Sequence, residues 1–302
     1  MRIVLLLLFL LLLGIEHAYS QTWRRVGNWG NEFTDIVWVN EEVGYIAGDN
    51  LILKSIDGGL SWQEQEAPTD HRMLSLDFFD EENGLIVGMA GTGYRTSDGG
   101  RTWEVVDFNI DGKLNSVTHT PNGHIYVGAD GGLLFNSTDG GLTWSQRKMG
   151  TEADLNAIFF VNPDSGYIAS ANSEIIRTEN GGSSWQISPT GFDAVLNDLH
   201  FTNDTVGYAV GDLGTIIKTE DAGRSWRYIN SGMDRDFNKV VFSKINPMIG
   251  LVTGSHGTIL RTTNGGLTFA TVTSRTTHSI QGVNFKANTN QVDAVAAGGV
   301  LI

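Results

Sequence analysis

Thr96-Ser97-Asp98-Gly99-Gly100-Arg101-Thr102-Trp103 is one of six versions of a single phrase. Ser55-Ile56-Asp57-Gly58-Gly59-Leu60-Ser61-Trp62 precedes it, and 137–144, 178–185, 219–226 and 262–269 repeat it. Trp62, Trp103, Trp144, Trp185 and Trp226 follow one another at 41 residues, and Phe269 comes 43 residues after the last. A period of this length marks a repeat architecture and outranks every other signal in the chain.

The phrase has a physical reading. The carboxylate or amide of Asp57, Asp98, Asp139, Asn180, Asp221 and Asn264 accepts backbone N–H groups just ahead of it and folds a turn. The following Gly pair supplies positive φ without a Cβ clash, so the chain reverses as a hairpin. The aromatic residue then covers the turn or a neighbouring sheet, a burial worth roughly 1.5–3 kcal/mol. Six equivalent side chains spread over a repeat cannot share one active site, so these are structural residues.

Between the boxes lie four short β-like runs. In one unit these are Leu155 to Phe160 (strand A), Gly166 to Ser170 (B), Glu174 to Arg177 (C) and Trp185 to Ile187 (D), with the box as the C–D turn. The same parse starts at Phe33, Leu74, Leu114, Leu196 and Phe237. Ile280 to Phe285, Val292 to Ala297 and Gly299 to Ile302 read as strands A, B and C of a further unit. The segment from Gln21 to Val26 reads as a strand D with nothing before it. Four strands in about 41 residues is the size of a propeller blade. The expectation is therefore an all-β, seven-bladed β-propeller, the last blade closed by the N-terminal strand so that no sheet edge is left open along the ring.

The repeat resembles the Asp-box, or bacterial neuraminidase repeat, of sialidases and sortilin-type receptors. The phrase Gly44-Tyr45-Ile46-Ala47-Gly48 followed by Leu53-Lys54-Ser55 is closer to the photosystem II stability/assembly factor family. That resemblance implies a propeller that holds a protein client, in photosystem II assembly if the host is photosynthetic and in the cell envelope otherwise.

Composition narrows the partners. A net charge of -14 argues against nucleic acid and against an anionic membrane surface. The 38 glycines and 5 prolines suit tight hairpins, and the absence of cysteine excludes disulfides and thiolate metal sites. Met1-Arg2, the apolar run from Ile3 to Leu13 and Ala18-Tyr19-Ser20 read as a signal peptide over 1–20, leaving one propeller domain over 21–302. The destination is then the periplasm, envelope or exterior, or the thylakoid lumen of a photosynthetic host, and a monomer is expected.

Two sets of residues recur in phase. Just before each box stand Lys54, Arg95, Asn136, Arg177, Lys218 and Arg261. Their stems can lie along strand C with the heads on nearby carbonyls or carboxylates, or they can form a basic patch for an acidic peptide or membrane-protein segment. The resemblance favours client-facing arginines, although Asn136 interrupts the series. Near the start of strand A stand Thr34, Ser75, Asn115, Asn156, Asn197, Asn238 and Gln281. They either tie adjacent blades or line one channel mouth, where amides can grip a peptide main chain.

Catalytic machinery is not expected. The sialidase arginine triad and its Arg-Ile-Pro phrase are missing, and the seven histidines are scattered, with His119 and His124 the nearest pair. No metal or cofactor is expected. The alternative to a client scaffold is a glycan-binding or glycan-hydrolysing propeller related to sialidases.

Overall fold

The computed structural model describes residues 27–66 and 71–302. The expected signal peptide and the strand expected at 21–26 lie outside them. Among the described residues the chain forms seven four-stranded antiparallel sheets. Blade 4 shows the pattern: Leu155–Phe160, Gly166–Ser170, Glu174–Thr178 and Gln186–Pro189 are its strands A to D. The A strands of successive blades touch one another around a closed circle, so A is innermost and D outermost.

Blade 7 takes Ile280–Phe285, Val292–Ala296 and Val300–Leu301 from the C-terminal end. Its fourth strand is Gly27–Asn28, paired antiparallel with Gly27 opposite Leu301 and Asn28 opposite Val300. Closure by the N-terminal segment is as expected, but its described strand lies just beyond 21–26. Two further boundaries are corrected. Strand D starts one residue after the box aromatic, at Gln63, Glu104, Ser145, Gln186 and Arg227, because the ring is held in the turn. Strand A of blade 2 starts at Met73, not Leu74.

Alternation explains the packing. Strand B is buried along its whole length in blades 1 to 6, as a strand with sheets on both sides must be. The apolar core is divided into seven clusters, one per seam between blades. A recurrent aromatic set marks four of the seams. Tyr45 stacks on Phe78 of the next blade at 3.7 Å, Tyr126 on Phe160 at 4.6 Å, Tyr167 on Phe201 at 3.7 Å and Tyr208 on Phe242 at 4.2 Å. Box tryptophans Trp103, Trp185 and Trp226 meet those phenylalanines edge-on. A glycine opens strand B beneath the ring, since a Cβ on Gly166 would lie 2.5 Å from Phe160.

Each box is built alike. Thr96 Oγ1 donates to Asp98 Oδ1 at 2.9 Å and accepts the Gly100 N–H at 2.8 Å. Asp98 Oδ1 accepts the Thr102 N–H at 2.9 Å, and Oδ2 accepts the Thr102 hydroxyl at 2.7 Å. These bonds, the Thr102 hydroxyl's foremost, hold the Asp98 carboxyl down at about 2, and Asp57 and Asp221 follow at about 2 by the same route. In Asn180 and Asn264 the amide donates instead, to the Ser184 and Thr268 hydroxyls, which turn to accept.

Candidate functional site

Strand C meets the box of the next blade at the seams, and the cations singled out in the sequence lie there. Lys54 Nζ donates to the Gly99 carbonyl at 2.8 Å, Arg95 Nε to Gly140 at 2.8 Å and Lys218 Nζ to Gly265 at 3.4 Å. The acceptor is always the residue after the box Asp or Asn. A strand B tyrosine donates to the same carbonyl at four seams: Tyr45 to Gly99 at 3.1 Å and Tyr208 to Gly265 at 2.6 Å beside the lysines, and Tyr126 to Gly181 at 2.8 Å and Tyr167 to Ala222 at 3.3 Å where no lysine reaches. Lys286 of blade 7 reaches Gly58 at 2.6 Å. All six boxes are thus docked on the preceding blade through the same carbonyl.

This geometry decides what the basic set does. The Arg95, Arg177 and Lys218 side chains are 17%, 13% and 7% exposed. Arg95 also meets Glu104 at 3.3 Å, Arg177 meets Glu179 at 2.5 Å and Lys218 meets Glu220 at 2.7 Å. Burial, aided by neighbouring Arg101, pulls the Lys54 ammonium below its ordinary value. Arg261 stands on strand C of blade 6, its Nε buried and without a hydrogen-bond partner among the described residues. At Asn136 the gap is bridged by Arg147 from strand D, which donates to the Gly182 and Ser183 carbonyls. The heads are therefore directed into the seams, apart from one another.

The amide set is engaged in the same way. Asn156, Asn197 and Asn238 each donate to the first carbonyl of the next strand A, those of Leu196, Phe237 and Ile280, at 2.8, 2.9 and 2.8 Å. Asn115 donates to Asp130 at 3.0 Å and Thr34 to the Ala47 carbonyl at 3.0 Å. Gln281 holds the same half-buried place in blade 7. Ser75 does not belong with them. With strand A starting at Met73, the equivalent place falls on Leu74, and Ser75 matches Asp35, Ser116 and Asp198.

That neighbouring position carries polar groups whose role the sequence analysis missed. Every strand A slips register after its first residue. The bulge turns the third side chain toward the next blade, whose inner edge has backbone donors to satisfy. Asp35 accepts the Leu76 N–H at 3.3 Å, Ser75 that of Val117 at 3.3 Å, Ser116 that of Ile158 at 3.2 Å and Asp198 that of Val240 at 2.8 Å. In blade 6 the position is Lys239, 3.9 Å from Asp198. Burial pushes Asp198 up to about 6 against the pull of Lys239, and raises Asp35 likewise. Lys239 is raised in turn, because the two carboxylates outweigh its own burial. A run of strand A starts aligned by their box spacing, rather than by hydropathy, would have exposed this second polar series.

Two histidines lie farther along strand A. Asp77 Oδ2 takes both the His119 N–H and its Nδ1 at 2.7 Å, tying blades 2 and 3. His200 lies against Phe159 at 4.9 Å, and burial lowers it to about 3. Among the described residues no three His, Cys, Asp or Glu side chains gather as metal ligands, and no helix is long and apolar enough to cross a membrane.

The outer surface offers different groups. Box-tip Leu60, Leu142 and Leu267 are 78%, 66% and 63% exposed, and strand D gives each blade an edge. A groove of about 470 Å³ runs at the seam of blades 2 and 3, beside strand D Glu104–Asp107.

A family model described as photosynthesis system II assembly factor YCF48 matches residues 60–151 and 183–289. Among solved structures the chain is similar to one described as YCF48 bound to D1 peptide, at 18% identity with 92% of each chain covered and a TM-score of 0.75. It is also similar to YCF48 from Cyanidioschyzon merolae, at 15% identity over 92% of this chain and 97% of that one, with a TM-score of 0.75. A GH74 xyloglucanase from Xanthomonas campestris gives 16% identity over 92% of this chain and 53% of the other, with a TM-score of 0.72. At such identities the structural likeness is one of fold. The comparison with curated proteins finds no match.

Proposed function

Because this chain belongs to the photosynthesis system II assembly factor YCF48 family, we propose that it is a non-enzymatic scaffold holding a segment of a protein client against its propeller. The observation that carries this reading is the propeller of similar fold described as YCF48 bound to D1 peptide. The chain works outside the cytoplasm, a reading supported by the charged start, apolar run and small residues over 1–20. Its cations lie in separate seams, so main-chain and apolar recognition is better supported than a continuous basic patch. A glycan role has less behind it: the xyloglucanase likeness is at 16% identity, and Arg95, Arg147 and Arg177 each serve a different part of the ring.

The test is photo-crosslinking of the immobilised protein in the host's envelope extract, with an unrelated seven-bladed propeller of similar charge as control. Enrichment of a protein client, and its competition by peptides made from that client, is the expected result. Retention of glycans, or turnover of a glycoside panel, with no client enriched would overturn the proposal.

A further inference from the structure

The strand D edges are not alike. An edge strand presents unpaired N–H and C=O groups, and proteins guard it with lysine, proline or shortness. Blade 3 has Arg147 and Lys148 on Ser145–Lys148, and blade 4 ends its strand at Pro189. Blades 1 and 6 have three-residue edges, and blades 5 and 7 have two-residue ones among the described residues. Blade 2 has Glu104-Val105-Val106-Asp107, four residues with none of these guards.

Its register fixes which groups are free. Phe108 N–H donates to the Gly91 carbonyl, and Val106 pairs with Gly93 two places on. Ladder bonds alternate along an antiparallel pair, so Val105 turns its N–H and C=O outward. The Val106 side chain packs into the seam with blade 3, while Val105, on the other face, is 64% exposed. Beside this edge runs the groove of about 470 Å³, lined by Phe108, Phe135, Trp144, Gln146 and the exposed Leu142. Alternate side chains of a strand added here would enter the groove, and the others would cover Val105.

We propose that Glu104–Asp107 is a β-augmentation site that pairs with an extended segment of a partner protein. The segment alternates apolar and cationic residues. Apolar residues suit the groove on the Val106 face. Cationic ones fall on the other face, where their stems can cover Val105 and their heads meet Asp107 on a chain of net charge -14. Main-chain pairing supplies affinity and the groove supplies selection. This rests on the client-scaffold reading and gives it a location.

The experiment uses a fluorescent ten-residue peptide alternating valine and lysine, read by anisotropy against the full chain, with melting temperature as control. Val105→Pro removes the outward N–H without touching a ladder bond, as proline at a strand edge allows. The expected result is binding that weakens at least tenfold in Val105→Pro, and equally when the peptide is N-methylated on alternate residues. Leu142→Glu, on the groove wall, should weaken it too, which covers the case of a proline variant that does not fold. In the wild type, peptide should slow hydrogen exchange at Val105. No binding, or equal binding to wild type and both variants, overturns the proposal. So does concentration-dependent dimerisation abolished by Val105→Pro, because the occupant would then be a second copy. If the client found in envelope extract is captured equally by Val105→Pro, the scaffold reading stands and the edge is excluded from it.

Discussion

Thr96 illustrates how the box divides its work between hydroxyl and carboxylate. Its hydroxyl is buried and accepts the N–H of buried Gly100, so Thr96→Val leaves that donor unpaired and should cost roughly 1–3 kcal/mol in a denaturant titration. Trp226 offers the contrast. Its indole N–H is buried without a hydrogen-bond partner among the described residues, as in Trp62, Trp103 and Trp185, so the box does not depend on the donor that Phe269 lacks. Trp226→Phe should cost about 1–2 kcal/mol, from the smaller ring and not from the lost donor. The buried titratable groups of strand A pull in opposite directions. Asp198, raised to about 6, contributes stability that is full below pH 4 and lost as pH rises through 6. His200, lowered to about 3, contributes stability that is full above pH 6.5 and lost as pH falls toward 3. Between pH 4 and 6 the two oppose. Melting curves should therefore show Asp198→Asn losing the gain on acidification and His200→Phe losing the acid decline.

At the scale of the element, the seam is the unit of stability, and its donors differ in what they leave behind. Lys286 reaches the Gly58 carbonyl, lies 3.5 Å from Asp293 Oδ2 and sits over the Trp38 ring at 4.8 Å. Burial raises the Asp293 carboxyl, with Lys286 opposing. Lys286→Met would strand that carboxylate, and removing one partner of a buried pair costs about 3 kcal/mol or more. Lys54→Met leaves the neutral Gly99 carbonyl with the Tyr45 hydroxyl still donating at 3.1 Å, and should cost about 1 kcal/mol or less. Equal losses in urea titrations of the two variants would contradict this account of the seam between blades 7 and 1.

The whole molecule depends on its closure. Gly27–Asn28 is the only described strand that brings the N-terminal end into the last blade, and it covers Val300–Leu301. Deleting residues 21–28 should expose that strand as an open edge. A drop in melting temperature and a tendency to associate in analytical ultracentrifugation are expected. An unchanged melt of a monomer would show that the ring is held by the axial contacts alone.

The sequence by itself determined the fold class, the blade count and the box, because a turn of this kind is local: its Asp, its hydroxyls and its Gly pair lie within eight residues. It also placed strands A to C of most blades, since period-two alternation is a local pattern. It put Leu74 for Met73 because both are apolar and only the partner strand distinguishes the register. The same limit held for site residues. Lys54, Arg95 and Lys218 recur in phase, which a basic patch or a seam donor explains equally well from the chain alone. Only the tertiary structure decided, by setting the carbonyls of Gly99, Gly140 and Gly265 within reach of their heads. Those acceptors come from the next blade, about one repeat away, and a long-range hydrogen bond leaves no mark in the residues that make it.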